Sequence, residues 1–411
     1  MSESSLDAKR DLKPAALPTV AAARAAMLAG VKALDDESVT LADALGRVLA
    51  APIVASRDQP PFAISEMDGY ALVAADTPGI LKRIGESAAG HGFTGAWAKG
   101  GTVRISTGAA IPDGADAVVI QEDVTRDGED IAVPQARPGQ HVRPRAMDFS
   151  AGTQLLQAGR RLDGVALALA AAAGAASLPV VRRPRIVLLS GGDELADPGV
   201  TPGPFQIFDS GTHGIAALVH AWGGDAQRLQ LQKDDVSAIA RAAEQGLKDS
   251  DLLVLIGGAS VGDHDHARPA LQRLGLKLSV EKIQLRPGKP TWFGHTPHGA
   301  VLGLPGNPAS ALVCARLFLR PLIEAMLGRD PDACVALRRA RLLEALPANG
   351  PREHYLRSLL ADDGNGGLTV RAFEQQDSSL LSVFASANAL VRMLPGAPAA
   401  AAGTLVDVLP L

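Results

Sequence analysis

Cysteine is almost missing from this chain: Cys314 and Cys334 are the only two in 411 residues. Two thiols build neither a disulfide framework nor a metal site alone, and their scarcity fits a reducing compartment. Aromatic side chains are nearly as rare, at 3 %, so rows of stacking residues that hold nucleic-acid bases are not expected. No long basic run occurs and the net charge is −4, which leaves no electrostatic footprint for nucleic acid. One long uncharged stretch, residues 164–181, is rich in alanine and glycine with a proline near its end. It reads as a helix followed by a strand, not a membrane span. The opening MSESSLDAKRDLKP lacks the apolar core of a signal peptide, and the expected location is cytoplasmic. A P-loop GxxxxGK[ST] is absent, which removes one common route to phosphoryl chemistry.

What remains is a globular composition, 47 % apolar and 20 % charged. At this length two to four domains are expected. The stretch that organises the chain is residues 251–265, DLLVLIGGASVGDHD. Its apolar run, Leu252 to Ile256, suits a strand covered on both faces of a parallel sheet. The glycines Gly257, Gly258 and Gly262, with Ser260, then permit a sharp turn and close approach of a ligand to backbone amides. Asp263 and Asp265 follow, before a helix expected over 267–274. Exposed amides hold phosphate and nearby carboxylates hold Mg²⁺ against it. An ordinary strand-to-helix turn could use the same glycines.

Along the chain, residues 1–17 are expected to fray. Helical spacing of Val20, Ala23, Met27 and Val31 predicts a helix over 19–34. A second helix is predicted over 39–50, with Thr40 as its N-cap. Short apolar runs between glycine and proline, at 102–106, 115–121 and 130–133, predict a β-rich domain. Residues 162–173 return to helix. From 185 to about 329, strands at 186–190, 228–232, 252–256, 282–285 and 301–304 alternate with helices at 212–222, 236–247, 267–274 and 308–326. Such alternation predicts a doubly wound sheet. Asn307-Pro308 is a helix start, with asparagine at the N-cap and proline at N1. After Pro331 short alternating segments predict a small barrel or sandwich. The domains expected are therefore an elongated linker domain from 18–51 and 153–184, a β-rich domain at 52–152, an α/β domain at 185–332 and a C-terminal β-barrel at 333–411.

Several loops fall at predicted strand ends in the α/β domain. They carry Asp193 and Glu194, Asp234 and Asp235, and Pro305-Gly306-Asn307-Pro308. With Asp263 and Asp265 they put six carboxylates on one sheet edge, where open α/β sheets bind ligands. Asp235 also fits the N-cap of the following helix. Cations come from Lys282-Ile283-Gln284-Leu285-Arg286-Pro287-Gly288-Lys289. The two-residue strand period aims Lys282, Gln284 and Arg286 to one face, and the Pro287-Gly288 turn presents Lys289. Three cations suit pyrophosphate or a metal oxyanion, although an edge strand uses lysine for protection too. His264 and His266 flank Asp265, but no Cys or His cluster supports zinc. Outside this domain, Ser65-Glu66-Met67-Asp68-Gly69-Tyr70-Ala71 and Arg104-Ile105-Ser106-Thr107-Gly108-Ala109 concentrate polar groups.

These motifs, together with Pro112-Asp113-Gly114-Ala115-Asp116-Ala117 and Gly303-Leu304-Pro305-Gly306-Asn307-Pro308, occur in the order seen in the MoeA family. The chain resembles those molybdopterin molybdenumtransferases over nearly its whole length. The resemblance implies four domains, the α/β one being MogA-like, in a homodimer whose partner subunit closes the cleft with the residues that match Asp68 and Thr107. It implies transfer of molybdenum from molybdate into adenylated molybdopterin, with Mg²⁺-dependent release of AMP. It also implies transient contact with other molybdenum cofactor synthesis proteins or apo-molybdoenzymes.

Carried over by position, the family's acidic functional residues fall on Asp68, Glu194, Asp234 and Asp265, and its basic ones on Lys282 and Arg286. Mg²⁺ is expected on Asp265 and Glu194, directly or through water. Thr107, Gly257, Gly258, Ser260, Gly262, Asp263, Pro287, Gly288, Lys289, Pro305, Gly306, Asn307 and Ser378 are the substrate contacts. Ser382 also falls where the family has serine. The chain departs from the pattern at five positions. Arginine stands at 286 where lysine is commoner, which changes hydrogen-bond geometry. Gly191 replaces threonine and Gly211 replaces asparagine, while Ile256 and Ala259 replace the commoner Ser or Thr and Val. Two other readings are a molybdopterin adenylyltransferase, which would consume ATP, and a non-catalytic molybdopterin-binding chaperone, which would bind without turnover.

Overall fold

The computed structural model describes residues 16–257 and 266–411. The chain divides into two compact units, Met1–Asp36 with Val181–Leu411, and Glu37–Val180.

The larger unit holds an α/β sheet and a barrel. Its elements are β1 (Arg185–Ser190), β2 (Leu195–Ala196), β3 (Ile207–Phe208), α1 (Gly211–Ala221), β4 (Asp225–Arg228), α2 (Val236–Lys248), β5 (Leu252–Ile256), α3 (Ala267–Arg273), β6 (Lys277–Val280), β7 (Leu285–Arg286), β8 (Trp292–Thr296), β9 (Gly299–Leu304) and α4 (Pro308–Cys314). A π turn, Ala315–Leu319, leads straight into α5 (Arg320–Met326), so the long helix expected from 308 is there with a bulge. The sheet order is β4-β1-β5-β9-β8-β6. The first four strands run parallel, β8 pairs antiparallel with β9, and β6 pairs antiparallel with β8. All five residues of β5 are buried, as the unbroken apolar run requires of a central strand. Leu253 and Leu255 pack with Val187, Leu189 and Val301 against Ile239, Ala243 and Leu247 of α2 and Ala270 and Leu271 of α3. Each fully buried Val, Leu or Ile side chain here contributes about 1.5–3 kcal/mol. The foot of β5 is pinned by Asp251, whose carboxylate takes two 2.7 Å bonds from the Arg182 guanidinium and one from the Arg185 amide. Burial alone would raise its pKa, but these partners outweigh it and hold the carboxyl below the usual range.

Register decides where the loops go. Ser190 of β1 is level with Ile256 of β5, and Ile256 is level with Leu304 of β9. Three strands therefore end in one row, and the segments after them start side by side. β4 stops lower, at Arg228 opposite Leu188. Its chain still climbs to the row, because the Gln232 amide donates to Ser190 O at 3.1 Å and the Gly192 amide to Gln232 O at 3.1 Å.

The barrel is built from β10 (Arg338–Leu342), β11 (Glu353–Asp362), β12 (Leu368–Ala372), β13 (Ala389–Met393) and β14 (Leu405–Pro410). Their order β11-β12-β10-β14-β13 closes through a β11–β13 pairing. β7 joins β11 in parallel, Arg286 opposite His354. His354 is buried, and burial, followed by the charges of Arg286, Arg352 and Arg357, pushes its pKa down to about 4. The unfolded chain accepts a proton near pH 6.5, the folded one only near 4, so stability should fall as pH drops through that window. His354→Gln should remove a large part of this slope, on the order of 2 kcal/mol across the window. Urea midpoints measured from pH 7 to pH 4 check it, and an unchanged slope would contradict the assignment.

The smaller unit contains a six-stranded sheet in the order Ala117–Ile120, Gly69–Leu72, Gly101–Ile105, Gly79–Ser87, Asp130–Val133, Thr125–Asp127. Its core includes Tyr70, Leu72, Leu81, Val119 and Ile131. A second cluster packs Leu49, Leu156 and Leu162 against Ala166 and Ala170 of helix Gly164–Ala172.

Four expectations need correction. The helix predicted over 39–50 is a strand, Asp36–Thr40, and one 3-10 turn, Leu41–Asp43. Thr40 donates to Asp43 instead of capping, and the Leu49 and Ala50 amides go to Arg160 O and Pro179 O. Long-range amide partners overrode the local helical spacing. The first helix is shorter than expected, Val20–Leu28, though its buried stripe is Val20, Ala23 and Met27. The strand expected over 228–232 lies at Asp225–Arg228. The strand expected over 282–285 joins no ladder there; only Leu285–Arg286 pairs, and with the barrel. Its alternation nevertheless survives, since Ile283 and Leu285 are buried and Lys282, Gln284 and Arg286 are not. Among the described residues no helix is long and apolar enough to cross a membrane.

Candidate functional site

A cavity of about 610 Å³ opens above the row of strand ends. Its wall takes Gly191, Gly192 and Glu194 from the loop after β1, and Asp234 from the loop after β4. Gly257 comes from the end of β5, and Pro305, Gly306 and Asn307 from the end of β9. Segments that stand far apart in sequence thus meet at one crevice past the carboxyl edge of the sheet.

The Glu194 loop is held from two sides. The Gln206 side chain donates to Asp193 O at 2.9 Å and Leu195 O at 3.2 Å, and β2 pairs with β3. On the other side, the Asp193 and Asp234 loops exchange long amide-to-carboxylate contacts of 3.4 and 3.5 Å. Gly192 has φ +148°, and a Cβ there would stand 2.4 Å from Glu194 Oε2. Only glycine leaves the Glu194 carboxylate that position. Asp235 caps α2 as expected, accepting from the Ala238 amide at 2.6 Å. Asn307 occupies the cap position of α4, yet its amide does not cap the helix. It donates to Ser378 Oγ at 2.9 Å, joining that serine to the cavity wall.

Lys282, Arg286, Pro287, Gly288 and Lys289 do not line the cavity; their segment reaches it through Pro290. Arg286 and Lys289 are exposed and Lys282 is partly so. Asp68 and Thr107 belong to the smaller unit, where they meet: Asp68 Oδ1 accepts from the Thr107 amide at 2.6 Å and its hydroxyl at 2.9 Å. Those two bonds hold the Asp68 carboxyl below its ordinary pKa. Gly258, Ser260, Gly262, Asp263 and Asp265 lie outside the described residues.

The cavity also takes Ile207, Phe208, Asp209, Ser210 and Ser379, which the sequence did not single out as a site, together with Gly211, one of the departures from the family pattern. Asp209 is 3 % exposed. It accepts from the Thr212 amide and hydroxyl, and Arg228 Nε donates to that same hydroxyl at 2.7 Å while its terminal nitrogen lies 3.4 Å from Asp209. The Arg228 charge offsets the burial of Asp209. Two of the departures from the family pattern touch: a Cβ on Gly211 would lie 3.2 Å from Ile256 Cγ2. The missing side chain at 211 makes room for the branched one at 256.

Three family models match the chain. They are the MoeA N-terminal region (domain I and II) at residues 18–174, a probable molybdopterin binding domain at 187–325, and the MoeA C-terminal region (domain IV) at 339–411. A molybdopterin molybdenumtransferase of a Nostoc species is 34 % identical over 78 % of this chain and 76 % of its own. The molybdopterin molybdenumtransferase 2 of Mycobacterium tuberculosis is 33 % identical over 90 % and 94 %. Among solved structures, a molybdopterin biosynthesis MoeA protein from Pyrococcus horikoshii superposes with a TM-score of 0.84 at 29 % identity, over 96 % of this chain and 99 % of that one.

Proposed function

The chain belongs to the MoeA family, and from that premise we propose that its cavity takes adenylated molybdopterin and molybdate and releases AMP as molybdenum enters the dithiolene. The chain is a molybdopterin molybdenumtransferase of molybdenum cofactor biosynthesis. The observation that carries the site reading is the level row of Ser190, Ile256 and Leu304, which turns Glu194, Asp234 and Asn307 into walls of one cavity.

The donor chemistry fits Mg²⁺. Glu194 and Asp234 offer hard carboxylate oxygens, and among the described residues no His/Cys/Asp/Glu group of three forms a closed cage. An open site of one or two carboxylates, completed by phosphate and water, is the usual Mg²⁺ arrangement. Glu194, with Asp265, would hold the ion, which when bound neutralises charge on the pyrophosphate. Asp234 orients the substrate or activates the attacking water. Lys282, Arg286 and Lys289 hold the pyrophosphate and the molybdate oxyanion, while the Gly257 amide is given to Leu304 O at 3.2 Å. Positioning and charge neutralisation supply most of the rate.

The reading includes a cytoplasmic homodimer in which Asp68 and Thr107 of one copy close the cavity of the other. A mixing experiment tests this. Co-purified Asp68→Ala and Glu194→Gln chains should recover about half the activity of a wild-type dimer, because one of the two shared sites is then intact. No recovery, or a monomer by light scattering, would sink the shared-site arrangement. Transient docking to other cofactor synthesis proteins or apo-molybdoenzymes completes the proposal.

A further inference from the structure

Among the described residues, Phe62, Phe205 and Phe208 are the phenylalanines that stand exposed. Two of these three sit within four positions of each other, in a chain that has only nine phenylalanines. Phe208 is 48 % exposed, Ile207 63 % and Phe205 93 %. Water-facing apolar groups gathered on one short segment mark a contact surface. Ile207 and Phe208 line the cavity beside Glu194 and Asp234.

The segment is fixed before any ligand arrives. The Ile207 amide donates to Glu194 O at 2.7 Å and the Asp209 amide to Ala196 O at 2.9 Å. Phe208 therefore sits between two backbone bonds and next to the buried Asp209. The backbone that carries the ring is thus ordered in advance, which lowers the cost of ordering when a second ring stacks there.

Topology gives the cavity two sides. Phe208 stands with the β1 and β4 loops, whereas Pro290, Asn307 and Ser379 stand with β8, β9 and the barrel. The cationic segment ending at Lys289 approaches on that second side. The carboxylates and the apolar ring share the first. A substrate with a heteroaromatic ring at each end of a pyrophosphate would thus lay its nucleotide along the first side and its metal-accepting end along the second.

We propose that Phe208, flanked by Ile207, is the platform on which the adenine ring of the adenylated substrate stacks. This deepens the cavity reading and rests on it. Aromatic stacking is tolerant of base identity, so the platform sets the position of the AMP half rather than reading its edge.

The test titrates the full chain with AMP, with ribose 5-phosphate and with molybdopterin that carries no adenylate. Phe208→Ala should weaken AMP binding roughly tenfold or more, and Phe208→Tyr should restore it. Ribose 5-phosphate and unadenylated molybdopterin should bind wild type and Phe208→Ala alike. An unchanged AMP affinity in Phe208→Ala overturns the proposal. So does a loss confined to molybdopterin, which would put the pterin on the platform. So does wild type that binds no AMP. Failure of the cavity reading shows separately, as wild type that cannot turn over adenylated substrate at all. Because Phe208 is about half exposed, the melting temperature of each variant serves as the folding control.

Discussion

Glu194→Gln is expected to cut AMP release from adenylated molybdopterin by roughly 100- to 1,000-fold, the loss typical when one preorganised electrostatic group is removed at a reacting centre. The substitution keeps shape and removes one negative charge. Glu194 is exposed, so stability should change by no more than about 0.5 kcal/mol. Its loop is held by Gln206 and by pairing with Ile207, which leaves the backbone in place. Asp234→Asn should act on the same step, since both carboxylates face one cavity. The double variant should then be little worse than the worse single one, because groups acting as a unit lose their effect together. Multiplying losses, or a Glu194→Gln enzyme with wild-type turnover, would mean that the two carboxylates serve separate purposes.

Gly303→Val is expected to prevent folding of the α/β sheet. Gly303 lies on β9, and a Cβ there would fall 2.0 Å from Trp292 Cε2 and 2.2 Å from Nε1. Trp292 is fully buried on the neighbouring strand, directly opposite Gly303, with the Arg268 guanidinium 5.8 Å from its ring. The indole has nowhere to move, so this exceeds ordinary overpacking, which costs about 1–3 kcal/mol. We expect a loss above 4 kcal/mol, in the tail reserved for named steric failures. Gly164→Ala is the control: nothing lies within 4 Å of its added Cβ at the head of a helix. That change should be neutral or stabilise by up to about 1 kcal/mol. Soluble yield and urea midpoints separate the two, and a well-folded Gly303→Val protein would contradict the packing described.

The central strands were legible because burial on both faces writes itself as unbroken apolar runs. Ile186, Leu253 and Leu302 announced β1, β5 and β9, and the Asp235 cap announced α2. The antiparallel edge was not legible. β6 and β8 are short, and KLSV and WFGHT carry no period that separates them from loop. Their pairing is a tertiary fact. The same holds at 39–50, where helical spacing lost to carbonyls at Arg160 and Pro179. At the site, the acidic loops could be read from strand ends, but Phe208 could not. A two-residue strand such as Ile207–Phe208 leaves no signal until its partner Leu195–Ala196 is known. Asp209 stands two positions before Gly211, yet only the structure makes it a cavity wall charged against Arg228.

The most direct test of the cavity's role is turnover by the purified full chain supplied with adenylated molybdopterin, molybdate and Mg²⁺, counting AMP and inserted molybdenum together. One AMP released per molybdenum atom transferred, with neither product formed by the Lys282→Ala, Glu194→Gln double variant, is the predicted result. Binding without AMP release, or ATP consumed with pyrophosphate released instead, would contradict it.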